Sequence, residues 1–241
     1  MLAAHKGARR KGRSGMEARQ ARAELTRRRI IDAAIELFAE AGYGGIGIAE
    51  IVKRAKVTKA ALYYHFASKE AVAAAIIEES SAAAANAFIS VSSPKSPALE
   101  NVIHGMFAVA RLMKSNRAAN TGRELAQALS QVSSAGAQSI ADWTALFVGQ
   151  VEAAIGQGDV CEDLDADQVG MTIWVSVLGT HLLTNALGDD TDTRLAKVWR
   201  VLLRAIVPPE SLGYFYEFVR RASVRPAAAQ QPAPAVIGSA R

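Results

Sequence analysis

The chain has 241 residues, half of them hydrophobic, and a net charge of +5 with a calculated pI near 9.5, which suits an anionic partner without requiring one. Its single cysteine, Cys161, excludes an intramolecular disulfide and a cysteine-based zinc cluster, and it fits a reducing compartment. Because no stretch approaches the roughly 18 consecutive apolar residues of a membrane span, and the basic N-terminus lacks an apolar signal core, we expect a cytoplasmic protein with no membrane partner.

Residues 1–23 form a basic segment with little apolar content. A segment of this composition cannot bury enough surface to offset the entropy of ordering, so we expect disorder in the free protein. The composition favours a solvated tail or a misassigned start codon. The alternative is an arm that contacts phosphate or enters a minor groove of DNA.

Helical periodicity begins at Glu24 and continues to Ala41, where Gly42 provides a left-handed stop. Shorter helical patterns follow at residues 48–55 and 59–65. The apolar positions of the three patterns predict one small shared core, which is marginal on its own and depends on the next helix. That core would contain Ile31, Ile35, Phe38, Ile48, Ile51, Val52, Leu62 and Phe66.

The joint between the second and third patterns indicates a helix-turn-helix. Lys56 and Val57 interrupt the apolar spacing, and Thr58 is a suitable N-cap for a helix that starts at Lys59. Lys59 and Tyr63 are four residues apart and therefore share one face, away from the core. Two helices joined by a short turn, with the second presented outward, form a helix-turn-helix, although an ordinary packed pair of helices has the same spacing.

The start of the following helix contains a lysine, Lys69, whose positive charge is unfavourable there unless an anion lies nearby. Ser68 is a suitable N-cap and Glu70 suits the positive end of the helix dipole, but Lys69 does not. A backbone phosphate of DNA would stabilise a lysine at this position. The helix extends to about Ile89, and the Ser- and Pro-rich residues 92–97 mark a domain boundary.

Only helical patterns follow this boundary, so the predicted fold class is all-α. The chain divides into a helix-turn-helix DNA-binding domain at residues 24–70, a helical ligand-binding and dimerisation domain at residues 71–222, and a disordered tail at residues 223–241. The two long helices near the C-terminus are apolar over a wide arc, which indicates a homodimer interface or, alternatively, full burial within a monomer. In the second domain we expect helices at residues 98–114, 121–130, 140–156, 167–187, 192–206 and 213–222.

The stretch TKAALYYHFASKEAVAAAII resembles the DNA-binding signature of TetR-type repressors, whose signature positions are occupied here by Tyr63, Phe66, Lys69 and Glu70. Within it, VTKAALYYHFASKE is similar to γ-butyrolactone autoregulator receptors and their pseudo-receptor relatives, which control antibiotic production and morphological development in filamentous bacteria. The chain departs from the family at Lys56, where glycine is usual because the turn favours a positive φ. It also has Ile46 and Gly47 where the family usually has a Thr or Ser that contacts phosphate.

The resemblance and the helix pattern together predict a repressor that binds double-stranded DNA as a homodimer. One recognition helix per protomer would enter the major groove, so the operator should be an inverted repeat. Lys59 is predicted to contact a base edge, since lysine can donate to guanine, and Ala60 to touch a thymine methyl. Phosphate contacts that position the protein are predicted for Thr58, Tyr63, His65 and Lys69.

Trp143 is the leading candidate for an effector site. Its flat apolar ring and single N–H donor suit a pocket for a ring with a carbonyl, although a plain core tryptophan has the same pattern. Butyrolactone receptors are similar in having a tryptophan at the start of this helix that lines the ligand pocket. The family's Pro-Tyr pair is replaced by Ser139 and Ile140, which leaves three alternatives: a γ-butyrolactone or related lactone, an antibiotic or intermediate bound by a pseudo-receptor, or no effector at all. The predicted lining is completed by Leu125, Thr144, Phe147 and Trp174.

No catalytic, cofactor or metal motif accompanies these patterns. The four histidines form no H-x-x-x-H or H-E-x-x-H spacing, and the sequence has no G-x-S-x-G elbow, P-loop or Rossmann fingerprint. His104 and His181 are predicted to be satisfied core or interface residues. We therefore expect no enzyme, cofactor or metal site, and the rival from another class is a helical carrier or enzyme that does not bind DNA.

Overall fold

The computed structural model describes the backbone of residues 4–224 and the side chains from residue 19 onward, apart from position 185. This part of the chain folds into ten helices without a strand, which confirms the all-α prediction. The predicted disordered tail lies almost wholly outside the described residues. The helices are α1 (Ala4–Ala41), α2 (Ile48–Ala55), α3 (Lys59–His65), α4 (Lys69–Val91), α5 (Ala98–Ser115), α6 (Arg117–Leu129), α7 (Ser134–Gly156), α8 (Ala166–Leu187), α9 (Thr191–Ile206) and α10 (Leu212–Ser223).

The first helix is much longer than the sequence pattern predicts. It begins at Ala4, so residues 4–23 form a helical extension here instead of the expected disordered arm. Alanine and arginine are frequent in this segment and are strong helix formers, so it can continue a helix that is already nucleated. Contact between this basic extension and DNA remains a prediction.

The other helices begin and end within about two residues of the predicted bounds, except for the starts of α6 and α7. The α6 helix starts at Arg117 because the Asn116 side chain caps it, with Oδ1 accepting from the Ala119 N–H at 3.0 Å. The α7 helix starts at Ser134, and Trp143 therefore lies in about its third turn and not at its beginning.

Two buried cores divide the fold. The first core joins α1, α2 and α3 with the first half of α4, so the small helix-turn-helix domain does depend on the next helix as expected. It also includes Leu125, Ala126 and Leu129 from α6, which no sequence pattern predicted. The second core lies among the end of α4, α5 and α7 to α10, around large buried side chains that include Phe107, Phe147, Trp199 and Phe215.

The α4 helix is shared by both cores. Val72 and Ile76 are buried in the first core, and Phe88 is buried in the second. Among the described helices it alone is long and apolar enough to cross a membrane by length and composition. Its apolar side chains pack inside the protein instead, which accounts for that composition.

Candidate DNA-binding surface and effector cavity

The turn between α2 and α3 has the conformation that glycine usually provides. Lys56 has φ 53° and ψ 46°, in the left-handed region that residues with a side chain adopt at a cost of roughly 1–2 kcal/mol. Its N–H donates to the Lys53 carbonyl oxygen at 3.3 Å, which closes the end of α2. At the start of α2, where Thr or Ser is usual, the Gly47 N–H donates to the Glu50 carboxylate at 3.0 Å. The turn is therefore preserved although lysine stands in place of glycine.

The α3 helix, which we call the recognition helix, is anchored on one side and exposed on the other. Thr58 Oγ1 accepts a hydrogen bond from the Ala61 N–H at 3.1 Å, which confirms the predicted N-cap. Leu62 and Phe66 are 0% and 5% exposed and fix the helix to the first core. The outer side offers one ammonium and two phenol groups, chemistry that suits phosphate oxygens and base edges. The exposed side chains of this helix are Lys59, Ala60, Tyr63 and Tyr64.

Sequence reasoning missed one exposed residue of the recognition helix. Tyr64 is 77% exposed, more than Tyr63 at 47%, yet it was not among the predicted contacts. The i, i+4 spacing singled out Lys59 and Tyr63, and the Lys59 ammonium does lie 5.9 Å from the Tyr63 ring centroid. The same spacing gave no reason to select Tyr64. His65 is half-buried, with its ring 5.0 Å from that of Tyr64, and it remains a candidate for a phosphate contact.

Lys69 has a structural role in place of the predicted phosphate contact. Its Nζ donates to the carbonyl oxygens of Tyr43 at 3.1 Å and Ile46 at 2.9 Å, and lies 3.9 Å from the Tyr43 ring centroid. The Tyr43 hydroxyl donates to the Glu70 carboxylate at 2.9 Å, and burial together with this carboxylate raises the pKa of Tyr43 to about 12. These contacts fix the loop before α2 to the start of α4. Carbonyl oxygens, and not DNA, therefore compensate the lysine at this helix end.

A cavity lies among α4, α5, α6, α7 and α8. It holds about 740 Å³, its open mouth included. The rings of Trp143 and Trp174 form part of its wall and are stacked, with centroids 5.8 Å apart and planes inclined by 18°. A mainly apolar lining with a few polar groups is typical of small-molecule sites. Other apolar lining residues are Ala84, Met106, Val109, Met113, Ala126, Ile140, Val177 and Leu178.

Polar groups in the cavity wall lack partners. Three buried nitrogens, Arg123 Nε, Trp174 Nε1 and His181 Nε2, have no hydrogen-bond partner among the described residues. Unsatisfied buried groups are uncommon in folded proteins, and a bound ligand is one way to satisfy them. The cavity therefore has a mainly apolar wall that includes three residues with buried nitrogens unpartnered in the described part of the chain. Its remaining polar lining consists of Ser80, Ser81, Gln127 and Ser139.

The charge in the cavity comes from Arg123. Burial lowers the pKa of its guanidinium from the usual value, but arginine stays protonated at neutral pH. Burial, followed by the charge of Arg123, lowers the pKa of His181 to about 4, so this imidazole is neutral at pH 7. Arg123 Nη2 donates to Asn120 Oδ1 at 3.1 Å and lies 3.5 Å from Glu124 Oε1. Since the Glu124 side chain is 48% exposed, water screens this ion pair.

The seam between α4 and α7 is the candidate entrance. Ser81, Ser139 and Trp143 line both the cavity and an open depression on its outer side. The hydroxyls of Ser81 and Ser139 are hydrogen-bonded to each other at 2.7 Å, and this bond joins the two helices across the seam. This hydrogen bond is part-buried, and breaking one such bond costs only about 1 kcal/mol, so the seam is a candidate path for a ligand.

Comparison with known proteins assigns the chain to a family. The model for "bacterial regulatory proteins, tetR family" matches residues 30–76, and the model for "tetracyclin repressor-like, C-terminal domain" matches residues 96–208. The A-factor receptor protein of Streptomyces griseus is 35% identical over 194 residues, which cover 80% of this chain and 67% of that protein. The chain belongs to the TetR family. Proteins of this family regulate transcription and are not enzymes.

Solved structures agree with this assignment. A crystal structure of a gamma-butyrolactone receptor, an ArpA-like protein, has a TM-score of 0.69 and 32% identity, covering 84% of this chain and 97% of that one. CprB from Streptomyces coelicolor, in complex with its biological operator sequence, has a TM-score of 0.70 and 30% identity, covering 83% and 99%. This TetR-family chain is thus a repressor similar to A-factor and γ-butyrolactone receptors, with its helix-turn-helix in the N-terminal domain.

The predicted effector residues of this TetR-family chain divide into two groups. Trp143 and Trp174 line the cavity. Phe147 is fully buried behind them, with its ring centroid 6.1 Å from Trp143 and 5.5 Å from Trp174. Thr144 donates its hydroxyl to a backbone carbonyl one turn earlier, and Leu125 belongs to the first core. Phe147, Thr144 and Leu125 are therefore corrected from ligand contacts to supporting residues, because none of them lines the cavity: Phe147 and Leu125 pack in the two cores, and Thr144 bonds its own helix.

Two cavity residues were missed. Arg123 was not singled out, and His181 was expected to be satisfied, whereas its Nε2 has no partner among the described side chains. A signal for Arg123 was present, because Ala126 and Gln127 follow it at i+3 and i+4 and also line the cavity. Arg123 therefore shares a helix face with an alanine and a glutamine. A charged residue is unusual on such a face when the helix is packed against other helices on two sides.

The α6 helix connects the cavity to the DNA-binding domain. Its side chains at Arg123 and Gln127 line the cavity, while Leu125 and Leu129 are buried in the first core. The contact between α6 and α4 is also very close: Ser80 Oγ donates to the Ala119 carbonyl oxygen at 2.6 Å. The α6 helix therefore links the cavity wall to the first core, where it packs against α1 and α4 and where the recognition helix is also anchored.

Proposed function

We propose that this TetR-family repressor acts in the cytoplasm as a homodimer on an inverted-repeat operator, and that a small apolar effector in the cavity releases it. The main support for the proposal is the position of α6. One face of this helix lines the cavity, and the other face packs in the core of the DNA-binding domain. Its similarity to A-factor and gamma-butyrolactone receptors supports antibiotic production as the process under control.

The dimer interface is proposed to include α8 and α9. Several large apolar side chains of these helices are between 45% and 70% exposed in the single chain. Exposed apolar side chains clustered on adjacent helices are typical of an interaction site, and a twofold contact would cover the same side chains on both protomers. These side chains are Met171, Val175, Leu182, Leu183, Leu187 and Val201.

In this dimer two recognition helices would enter successive major grooves about one helical turn apart. Lys59 would donate to a base edge and Ala60 would contact a thymine methyl. Phosphate contacts from Thr58, Tyr63 and His65 would position the helix, and we add Tyr64 because of its exposure.

Release requires that the effector bind the DNA-free arrangement more tightly than the DNA-bound arrangement. An effector between the tryptophans and α6 would displace α6, and Leu125 and Leu129 would carry that displacement into the first core. The spacing of the two recognition helices would then no longer match the operator. A coupling free energy of about 1–3 kcal/mol is typical of such linkage and would change operator affinity about 5- to 150-fold.

The effector is proposed to be a γ-butyrolactone or a related lactone. A pseudo-receptor that binds antibiotics or biosynthetic intermediates is the second candidate. It is favoured by Ser139 and Ile140, which replace the family's Pro-Tyr pair and line the cavity, and by the buried charge of Arg123. Both candidates share the same DNA-binding mechanism.

A mobility-shift assay with the DNA upstream of the protein's own gene tests the proposal. We expect a retarded complex at low ionic strength, a steep loss of the complex as salt rises, and release by candidate lactones. A helical carrier that does not bind DNA would leave the probe unshifted at every salt concentration. That result would refute the proposed function.

A further inference from the structure

The unsatisfied nitrogens of the cavity identify the chemical class of the effector. Arg123 projects from α6, and His181 and Trp174 project from α8 on the facing wall. Arg123 has a 14% exposed side chain and His181 is 6% exposed, so both are largely removed from bulk water. One cationic side chain and one indole therefore line the same cavity.

A fixed cation in an apolar cavity favours an anionic partner. The only carboxylate near Arg123 among the described residues is Glu124, which is half-exposed, marginal in distance and on the outer side of α6. Hydrogen bonds between ionised groups are about twice as strong as those between neutral groups. A neutral carbonyl would accept a hydrogen bond from Arg123, but it would leave the guanidinium charge paired only with the half-exposed Glu124.

The rest of the cavity suits an apolar body. Trp143 and Trp174 form a flat wall, and Met106 and Met113 provide flexible side chains that adapt to an alkyl chain or a ring. The complete set of groups thus matches a molecule with an apolar portion and one charged oxygen-bearing end.

We propose that the effector of this cavity is an apolar carboxylic acid or an equivalent organic anion whose charged group pairs with Arg123. This inference rests on the proposed function, because it takes the cavity as the effector site. It replaces a neutral lactone with an organic anion as the expected class of effector. The γ-hydroxy acid formed when a γ-lactone ring is hydrolysed belongs to this class. Trp174 Nε1 donates a second hydrogen bond to the same carboxylate.

A matched pair of probes isolates the charge. γ-Nonalactone and 4-hydroxynonanoate have the same carbon skeleton and differ by the opened ring and one negative charge, and decanoate and 2-naphthoate extend the set of acids. Binding to the full-length chain at pH 7 is followed by quenching of tryptophan fluorescence, since two of the three tryptophans line the cavity. We expect the wild type to bind at least one acid about tenfold more tightly than the lactone.

The variants test whether Arg123 is responsible. Arg123→Gln should reduce affinity for the acid about tenfold and leave lactone affinity unchanged, which also shows that the variant is folded. Arg123→Lys keeps the charge and should retain part of the preference. Arg117→Gln removes an exposed arginine from the same helix and should change neither affinity.

Three results would overturn the proposal: a wild type that prefers the lactone, equal losses for acid and lactone in Arg123→Gln, or failure of all the acids to bind at millimolar concentration. Mobility shifts run in parallel separate it from the proposed function. Release of DNA from the wild type by the lactone but by none of the acids refutes the anionic effector alone. Acid binding through Arg123 without any DNA binding refutes the repressor alone.

Discussion

Gly122 is the point of closest approach between α4 and α6, and replacing it with alanine tests the role of α6. A Cβ at this position would lie 2.2 Å from Ser80 Cβ and 2.7 Å from the Ile76 carbonyl oxygen, both far inside ordinary contact distance. The two helices would have to separate, and the 2.6 Å hydrogen bond from Ser80 to Ala119 would lengthen or break. The substitution therefore imitates the displacement that we assign to the effector.

The magnitude follows from three terms. Overpacking costs about 1–3 kcal/mol, a lost hydrogen bond costs about 1 kcal/mol, and alanine gains about 1 kcal/mol over glycine within a helix. Gly122→Ala should thus lower the free energy of unfolding by about 1–3 kcal/mol. Because the displaced α6 carries Leu125 and Leu129 into the first core, operator affinity without effector should also fall by about tenfold.

Gly149→Ala is a matched control, since a Cβ at Gly149 meets nothing within 4 Å. It should raise the free energy of unfolding by up to about 1 kcal/mol and leave DNA affinity unchanged. Urea unfolding and fluorescence anisotropy with a labelled operator measure the two quantities. If Gly122→Ala matches the wild type in both, the contact between α4 and α6 does not control the DNA-binding domain, and the mechanism is wrong.

Three further predictions concern single side chains. Lys59→Ala should relax preference at one base pair, whereas Tyr63→Phe should weaken binding to all sequences alike, as measured with a panel of single-base operator variants. Trp143→Ala should bind operator normally but resist release by a γ-butyrolactone in a mobility shift, and equal release from variant and wild type would exclude Trp143 from the effector site. The pKa of His181 is lowered from 6.5 to about 4 in the folded protein, so between these pH values the unfolded chain binds the proton and the folded chain does not. The free energy of unfolding should therefore fall as pH drops from 6.5 towards 4. The slope should be up to about 1.4 kcal/mol per pH unit, and His181→Gln should remove it in urea titrations.

Helices and caps could be predicted from the sequence because they depend on neighbouring residues. Thr58 and Ser68 were predicted as N-caps, and each side chain accepts from the N–H three residues later, at 3.1 and 3.2 Å. The recognition helix could be predicted for the same reason, since its buried and exposed sides follow from the spacing of Leu62 and Phe66. Helix starts were less certain, and α7 begins six positions before the predicted residue 140.

The cavity could be predicted only in part, because its lining depends on which neighbouring helix packs against each face of α6, α7 and α8. The α6 helix is covered on two sides, and periodicity cannot tell which of its faces joins the first core and which lines the cavity. Leu125 was chosen as a ligand contact for its apolar side chain, but it is buried in the first core. Arg123, two positions earlier, lines the cavity. Trp143 and Trp174, also chosen from the sequence, do line the cavity, and their contact with an effector stays a prediction.

Lys69 and Arg123 show that a positive charge in an unfavourable position predicts a compensating group nearby, but does not predict whether that group is a ligand or part of the protein. Each lies where an anion would stabilise it, Lys69 at a helix N-terminus and Arg123 in a mainly apolar wall. The ammonium of Lys69 is satisfied by two carbonyl oxygens of its own chain, so a DNA phosphate is not needed there. Arg123 Nε has no such partner among the described residues. A ligand can therefore be inferred at Arg123 and not at Lys69, although the sequence pointed to Lys69 alone.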